Sequence, residues 1–484
     1  MQKNKKTKLK ICGILIILCG MIIVPAANAS NISIEENQEE SEIFAEGDYQ
    51  QYKLLIIAPK YFQRELKRLV RHKENFGVST RLVTLDEVYE EIHWEGRDNA
   101  EKVKYYIKNA YDYWGIDYVL LVGGKVGQLN KWHCPVRYIN LDNGYEYQLL
   151  SDLYFADIYD SKGNFSTWDS DGDGRFMEWI QGQEPEDTNF DLYPDVAVGR
   201  LPCRNRFEVI TMVRKIMRYE KTTYGKSWFN RIAAFGGDTY PECNNPKWVG
   251  YEGEHYADQV MENMTGFTQE KYYTSDGTLD HWSDILKALN KGWGFVYFNG
   301  HASPMIWTTH LPNSTIKFPG LTTMHMRLLR NGFKLPICVV GGCHNNQFDV
   351  SVFRYFNESG RAHVEYVPQC WSWMLTKKIG GGAIATIGIT ALGHTKEDKE
   401  SFKGGSCELE VQFFYQYKQN NLDIIGDAWA ASVSAYIDNY KLDWQSELTN
   451  DSWVDVQVPT TWILFGDPSL KIGGYAEPAV ADIR

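Results

Sequence analysis

The stretch "LPICVVGGCHNNQF", residues 335–348, runs apolar as far as Val340, breaks at two glycines and then sets a cysteine beside a histidine. A short apolar run bounded by glycine reads as a strand buried in a covered parallel sheet. Forty-two positions before Cys343, His301 closes a second run of the same build, "GFVYFNG", residues 294–300. If the two strands are neighbours, the imidazole and the thiol leave the sheet at the same carboxyl-terminal rim, where open α/β sheets hold their ligands. The residues alone leave three readings open for Cys343. It can be a core thiol at a strand end, a zinc ligand together with Cys338, His344 and His301, or a nucleophile. Strand alternation sends Cys338 and Cys343 to opposite faces, which disfavours the zinc set. A nucleophile needs a nearby imidazole to raise its thiolate fraction and then to protonate a leaving group. The backbone N–H groups of Gly300, Ala302 and Gly342 flank that pair and are placed to support an oxyanion.

Working outward, strand-like runs alternate with helix-length segments along most of the chain, the pattern of parallel β-α-β units. "KLLIIAP" (53–59), "VSTRLVTL" (78–85) and "YVLLVGG" (118–124) are strands of a first unit, with helices over 60–75, 99–113 and 205–222. "RIAAFGG" (231–237), "GFVYFNG", "LPICVVGG" and "GGAIATIGIT" (381–390) are strands of a second, with helices over 252–264, 281–291, 321–331, 368–379 and 424–440. The expected fold is therefore α/β, two side-by-side subdomains whose mainly parallel sheets are flanked by helices. The boundaries read as 52–225 for the N-terminal subdomain with its acidic loop, 226–473 for the second, and 474–484 for a tail.

Residues 1–29 carry five lysines, an apolar run and the small residues Ala27 and Ala29. That is the layout of a secretory signal, and the run is short for a membrane span. Residues 30–51 are an acidic lead-in or short pro-segment. The chain is expected to be secreted or at the cell surface, with no membrane association after cleavage. A formal charge of -12 opposes a nucleic-acid partner, which calls for a basic face. Seven cysteines follow the signal, so at least one thiol has no partner within the chain.

"YFNGHASPMIWTTH" and "VVGGCHNNQF" resemble the histidine and cysteine segments of the gingipain family, the clan CD cysteine peptidases related in fold to caspases. "SDLYFADIYD", "YPDVAVGRLPCRNRFEVITMVRKIMRYEK" and "TWILFGDPSLKI" resemble that family's scaffold segments in the same order. The resemblance spans about residues 52–473. It implies a caspase-like fold, protein or peptide substrates, Cys343 as nucleophile, His301 as acid/base, and no cofactor for catalysis. It also implies that Glu254 stands where arginine-specific members hold an acid for the substrate's guanidinium. Asp238 falls near the acid that helps orient the histidine. The family has His-Gly where this chain has His301-Ala302; were φ positive there, alanine would cost on the order of 1 kcal/mol. A weakened binding protein on the same fold, or a thiol-dependent acyl transferase, are the alternatives to an endopeptidase.

One acidic loop is left over. "WDSDGDGRFMEW" sets Asp169, Asp171 and Asp173 at alternate positions, with Glu178 beyond. Oxygen-rich turns of this kind suit calcium, and a structural calcium ion is expected on these four residues, with Asp187 among the more distant ligands.

Overall fold

The computed structural model describes residues 51–142, 144–243, 250–395, 404–441 and 450–476. The signal segment, the lead-in and nearly all of the tail lie outside the described residues. Ten strands form one continuous sheet: β1 (Leu54–Ala58), β2 (Thr80–Thr84), β3 (Tyr118–Val122), β4 (Ala197–Leu201), β5 (Arg231–Gly236), β6 (Thr268–Tyr273), β7 (Phe295–Phe298), β8 (Ile337–Val340), β9 (Ala385–Ile389) and β10 (Trp462–Phe465). Their order is β6-β5-β7-β8-β9-β10-β4-β3-β1-β2. All pairings are parallel except β9 with β10. The β10–β4 contact joins the two halves through one residue pair, Phe465 with Arg200.

Central strands read as unbroken apolar runs because both faces are covered: every residue of β1, β7, β8 and β9 is buried. Alternation sorts them between two layers of core. Phe295, Tyr297, Ile337 and Val339 join one cluster, while Val296, Phe298, Cys338 and Val340 join the other. Burying each such side chain is worth roughly 1.5–3 kcal/mol relative to exposure. Two of the covering helices start on side-chain caps: Asp98 accepts from Glu101 N at the head of Asn99–Trp114, and Asn205 from Phe207 N and Glu208 N at the head of Arg206–Thr222.

Two sequence expectations change. The segment 321–331 is not a helix: Leu321–Thr322 pairs with Ile306–Thr308 as a strand, and only His325–Leu328 forms a 3-10 turn. Pro319 and Gly320 precede it, and Leu321 is committed to Trp307 across that ladder. The helix over 368–379 shortens to Trp371–Thr376. All seven cysteines after the signal are free thiols. No helix among the described residues is long and apolar enough to cross a membrane.

Candidate active site

β7 and β8 are adjacent and in register, with Phe298 opposite Val340 as the last pair. His301 follows Phe298 by three residues and Cys343 follows Val340 by three, so both emerge from the same rim one strand apart. The two turns touch. A Cβ added to Gly342 would lie 2.7 Å from Ala302 Cβ and 2.9 Å from Ala302 N, and its φ of +136° is one that side chains rarely adopt. Glycine is required there on both counts.

After β7 the chain makes a small hairpin, His301–Ala302 pairing with Ile306–Thr308. Trp307, fully buried, donates its indole N–H to Gly341 O at 3.0 Å and so staples the histidine's hairpin to the cysteine's strand end. Beneath both, the Glu410 carboxylate accepts from Tyr297 Oη at 2.6 Å and Asn299 Nδ2 at 2.9 Å. A Cβ at Gly341 would lie 2.6 Å from that carboxylate. Burial pushes the Glu410 carboxyl up to about 8.

The turn carrying Cys343 is tightly determined. Asn345 Nδ2 donates to Val340 O at 2.8 Å and Gly342 O at 2.6 Å, while His344 N and Asn346 N donate to Ala391 O and Ile389 O. His344 itself takes φ +56°, unusual outside glycine and asparagine. Cys343 Sγ is half-buried and accepts from Gly393 N at 3.3 Å. Burial raises its thiol, against the lowering pull of that N–H and of the Lys317 ammonium.

His301 Nε2 lies 2.9 Å from Thr239 O. A carbonyl only accepts, so Nε2 carries the proton of the neutral ring and Nδ1 is left as the basic nitrogen. Burial, with the Lys317 charge adding, pushes the imidazole down to about 4. His310 Nδ1 shares the same carbonyl at 3.2 Å, its ring edge-on to His301 at 4.8 Å. Among the described residues His301 and Cys343 make no hydrogen bond to each other; each is held by a backbone group from a third segment. Ala302 lies in extended pairing with Trp307 and is absent from the left-handed region, so alanine there is unstrained.

The acids sort by the first turn of the helix Glu252–Asn263, which meets the rim at the close approach of Gly253 to Gly237 and Asn299. Glu252 and Glu254 diverge from that turn. Glu254 is buried with Ser275 on its carboxylate, through N at 2.9 Å and Oγ at 2.5 Å. Glu252 faces the loop that holds His301, accepting from Tyr240 N at 3.1 Å, and burial lifts its carboxyl to about 7. The Asp238 carboxylate is buried and turned to Asn313 N at 2.7 Å; the residue that holds His301 is its neighbour Thr239.

In the acidic loop, donor oxygens of Asp169, Asp171 and Asp187 lie within 4.8 Å of one another. Asp173 turns to Arg175 N at 2.6 Å, and Glu178 pairs with the Arg175 side chain. Asp169 carries the Arg97 guanidinium at 2.6 Å. The cysteines join no group of metal-ligand spacing among the described residues.

The family model of peptidase family C25 matches residues 48–473. The chain belongs to that family. It is 21% identical over 428 residues to gingipain R2 of Porphyromonas gingivalis, which covers 87% of this chain and 46% of the relative. It is 25% identical over 225 residues to Lys-gingipain of the same organism, covering 46% of this chain and 11% of that one. The chain thus spans about half or less of the length of these curated relatives. Among solved structures it is similar to the Arg-specific cysteine proteinase gingipain R, with a TM-score of 0.59 at 18% identity over 88% of this chain and 79% of the other. The complex of Porphyromonas gingivalis RgpB pro- and mature domains gives 0.58 at 18% identity, over 87% and 79%. These two likenesses show a shared C25 fold, the α/β architecture expected from the alternating strands.

Thr239, Gly393 and Glu410 were not legible as site residues. The first two act through backbone atoms, which carry no side-chain signal. Glu410 is one glutamate in a helix, Gly405–Lys418, whose apolar residues face in several directions.

Proposed function

We propose that this C25 chain is a cysteine endopeptidase in which Cys343 attacks the scissile carbonyl and His301 moves the proton. The observation that supports it is the equal three-residue overhang of His301 and Cys343 beyond one strand pair. The resting pair is a neutral thiol and a neutral imidazole, because burial opposes the charged form of each. His301 Nδ1 takes the thiol proton as the C–S bond forms, and returns it to the departing amine as the peptide C–N bond breaks. Water then releases the acyl group. The N–H groups at Ala302 and Cys343 are the oxyanion donors of this reading, and Gly342 and Gly300 let the backbone approach.

The substrate preference we propose is for a basic residue before the scissile bond. A carboxylate at the rim offers arginine two parallel hydrogen bonds. Glu254 is the acid of this reading, with Glu252 as its neighbour on the histidine side. We take the chain to be exported, from the lysines and apolar run of residues 3–29. We also place a structural calcium ion at Asp169, Asp171 and Asp187; melting curves with calcium and with chelator should separate, and Asp171→Ala should merge them.

A peptide library varied at the residue before the cut tests the activity and the preference together. Arginine peptides should be cut fastest, Cys343→Ala should cut none, and Glu254→Gln should flatten the preference. A preference erased by Glu252→Gln alone moves the pocket to the histidine side, and equal cutting after leucine removes the electrostatic pocket.

A further inference from the structure

A cavity of about 680 Å³ opens beside the turn that carries Cys343, and Glu146, His344 and His363 line it. These three come from separate stretches of chain, yet one donor atom from each lies within 4.8 Å of the others. His344 Nε2 is 3.1 Å from Glu146 Oε1, and the His344 and His363 rings stack within 19° of parallel at 5.4 Å. His344 is only 3% exposed, so its ring is fixed in the cavity wall with a carboxylate and a second imidazole within ligand reach.

We propose that Glu146, His344 and His363 bind a divalent cation of the zinc class. Two imidazoles and one carboxylate are a donor set that zinc favours, with the fourth position left to water or an entering oxygen. Metal–ligand bonds of about 2.0–2.2 Å place tetrahedral donors roughly 3.3 Å apart, close to the His344–Glu146 spacing. Calcium asks for six to eight oxygens, which this group does not offer. The lining adds negative charge: Asp349 and Glu365 share one counter-ion, Arg354, at 2.6 and 2.5 Å, and Glu146 stands beyond them. Glu146 is oriented by Leu392 N, which donates to its other oxygen at 2.9 Å, an outer contact of the kind that tunes metal ligands.

The site has a consequence for the neighbouring thiol. His344 follows Cys343 directly and holds a left-handed φ. A cation on its ring would tie the turn to the 144–148 and 357–363 segments, and so fix the backbone that presents Cys343.

The test uses full-length protein carrying Cys343→Ala, which removes the thiolate as a competing zinc ligand. Zinc affinity is read by competition with a chromophoric chelator, alongside melting temperature with and without zinc. One equivalent should bind and raise the melting temperature. His363→Ala and Glu146→Gln should each weaken binding at least tenfold, with circular dichroism reporting an unchanged fold. No stoichiometric zinc, an affinity untouched by His363→Ala, or binding that appears only when Cys343 is present would each overturn the site and leave a plain imidazole–carboxylate ion pair.

Discussion

The two halves of the sheet contain the same device put to different ends. β3 closes as Val122-Gly123-Gly124 and β8 as Val340-Gly341-Gly342. In both, one glycine takes a φ open only to glycine, +145° at Gly123 and +136° at Gly342, and a neighbouring turn presses against it. Gly123 faces Cys134 N and Gly342 faces Ala302. The residue after each pair differs. Lys125 is buried and spent on structure: its ammonium donates to Asp349 O at 2.7 Å, six residues beyond Cys343. Cys343 is half-buried, and its sulfur accepts from Gly393 N. One strand end is closed by a lysine that braces the other, and the other presents the thiol proposed as nucleophile. Strand-end geometry is therefore scaffold, and chemistry enters with the side chain placed upon it.

Substituting the glycines should separate scaffold from chemistry most sharply. Gly342→Ala and Gly123→Ala each force a Cβ into backbone and should cost on the order of 1–3 kcal/mol, read as a drop in melting temperature. Only Gly342→Ala should also cut peptide hydrolysis by tenfold or more, since its Cβ pushes on the strand that bears His301. Equal activity losses would mean that the two turns serve one scaffold and do not differ in their part in the chemistry.

A smaller effect distinguishes the two post-glycine side chains by pH. Burial raises the Cys343 thiol and lowers the Lys125 amine to about 8. Alkylation of Cys343 by iodoacetamide should therefore climb through the alkaline range, with its inflection above the ordinary thiol value near 8.5. An inflection below neutrality would mean a preformed thiolate–imidazolium pair. Folding shows the same electrostatics in acid. His301 titrates near 4 when folded and near 6.5 when unfolded, so the unfolded chain binds the proton first. Stability should fall as pH drops from about 6.5 to 4, and His301→Asn should remove part of that slope.

The smallest effect belongs to Ala302. Because it is extended and paired with Trp307, Ala302→Gly relieves no strain. Turnover should stay within about twofold of wild type, on the lower side; a large gain would show strain at the histidine turn.

Much of this arrangement was legible beforehand, and the reason is specific. Strands covered on both faces must be apolar throughout, so "GFVYFNG" and "LPICVVGG" announced β7 and β8, and their glycine ends announced the rim. The edge strand β6 was not legible: it is largely polar, only Tyr273 in it is buried, and it pairs on one side only. The 301–308 hairpin and the 321–322 strand were hidden because short antiparallel ladders need only a few residues and a buried tryptophan. Within the site, the neighbouring strand ends of Cys343 and His301 could be read from the residues, while the roles proposed for them came from the family resemblance. The carbonyl of Thr239 and the N–H of Gly393 could not, since any residue supplies them. The helix turn at 252–254 was visible as paired acids, but only its geometry shows that Glu252 faces the histidine loop and Glu254 faces Ser275.

The central claim is that strand register makes Cys343 and His301 one reactive unit. It is tested most directly by treating wild type and His301→Ala with a peptidyl acyloxymethyl ketone and mapping the modified residue. A single adduct on Cys343 is expected in wild type, forming at least about a hundredfold more slowly in His301→Ala, within the range expected for loss of a general acid–base. An adduct on Cys243 or Cys370, or labelling of Cys343 at equal rates in both proteins, would contradict it.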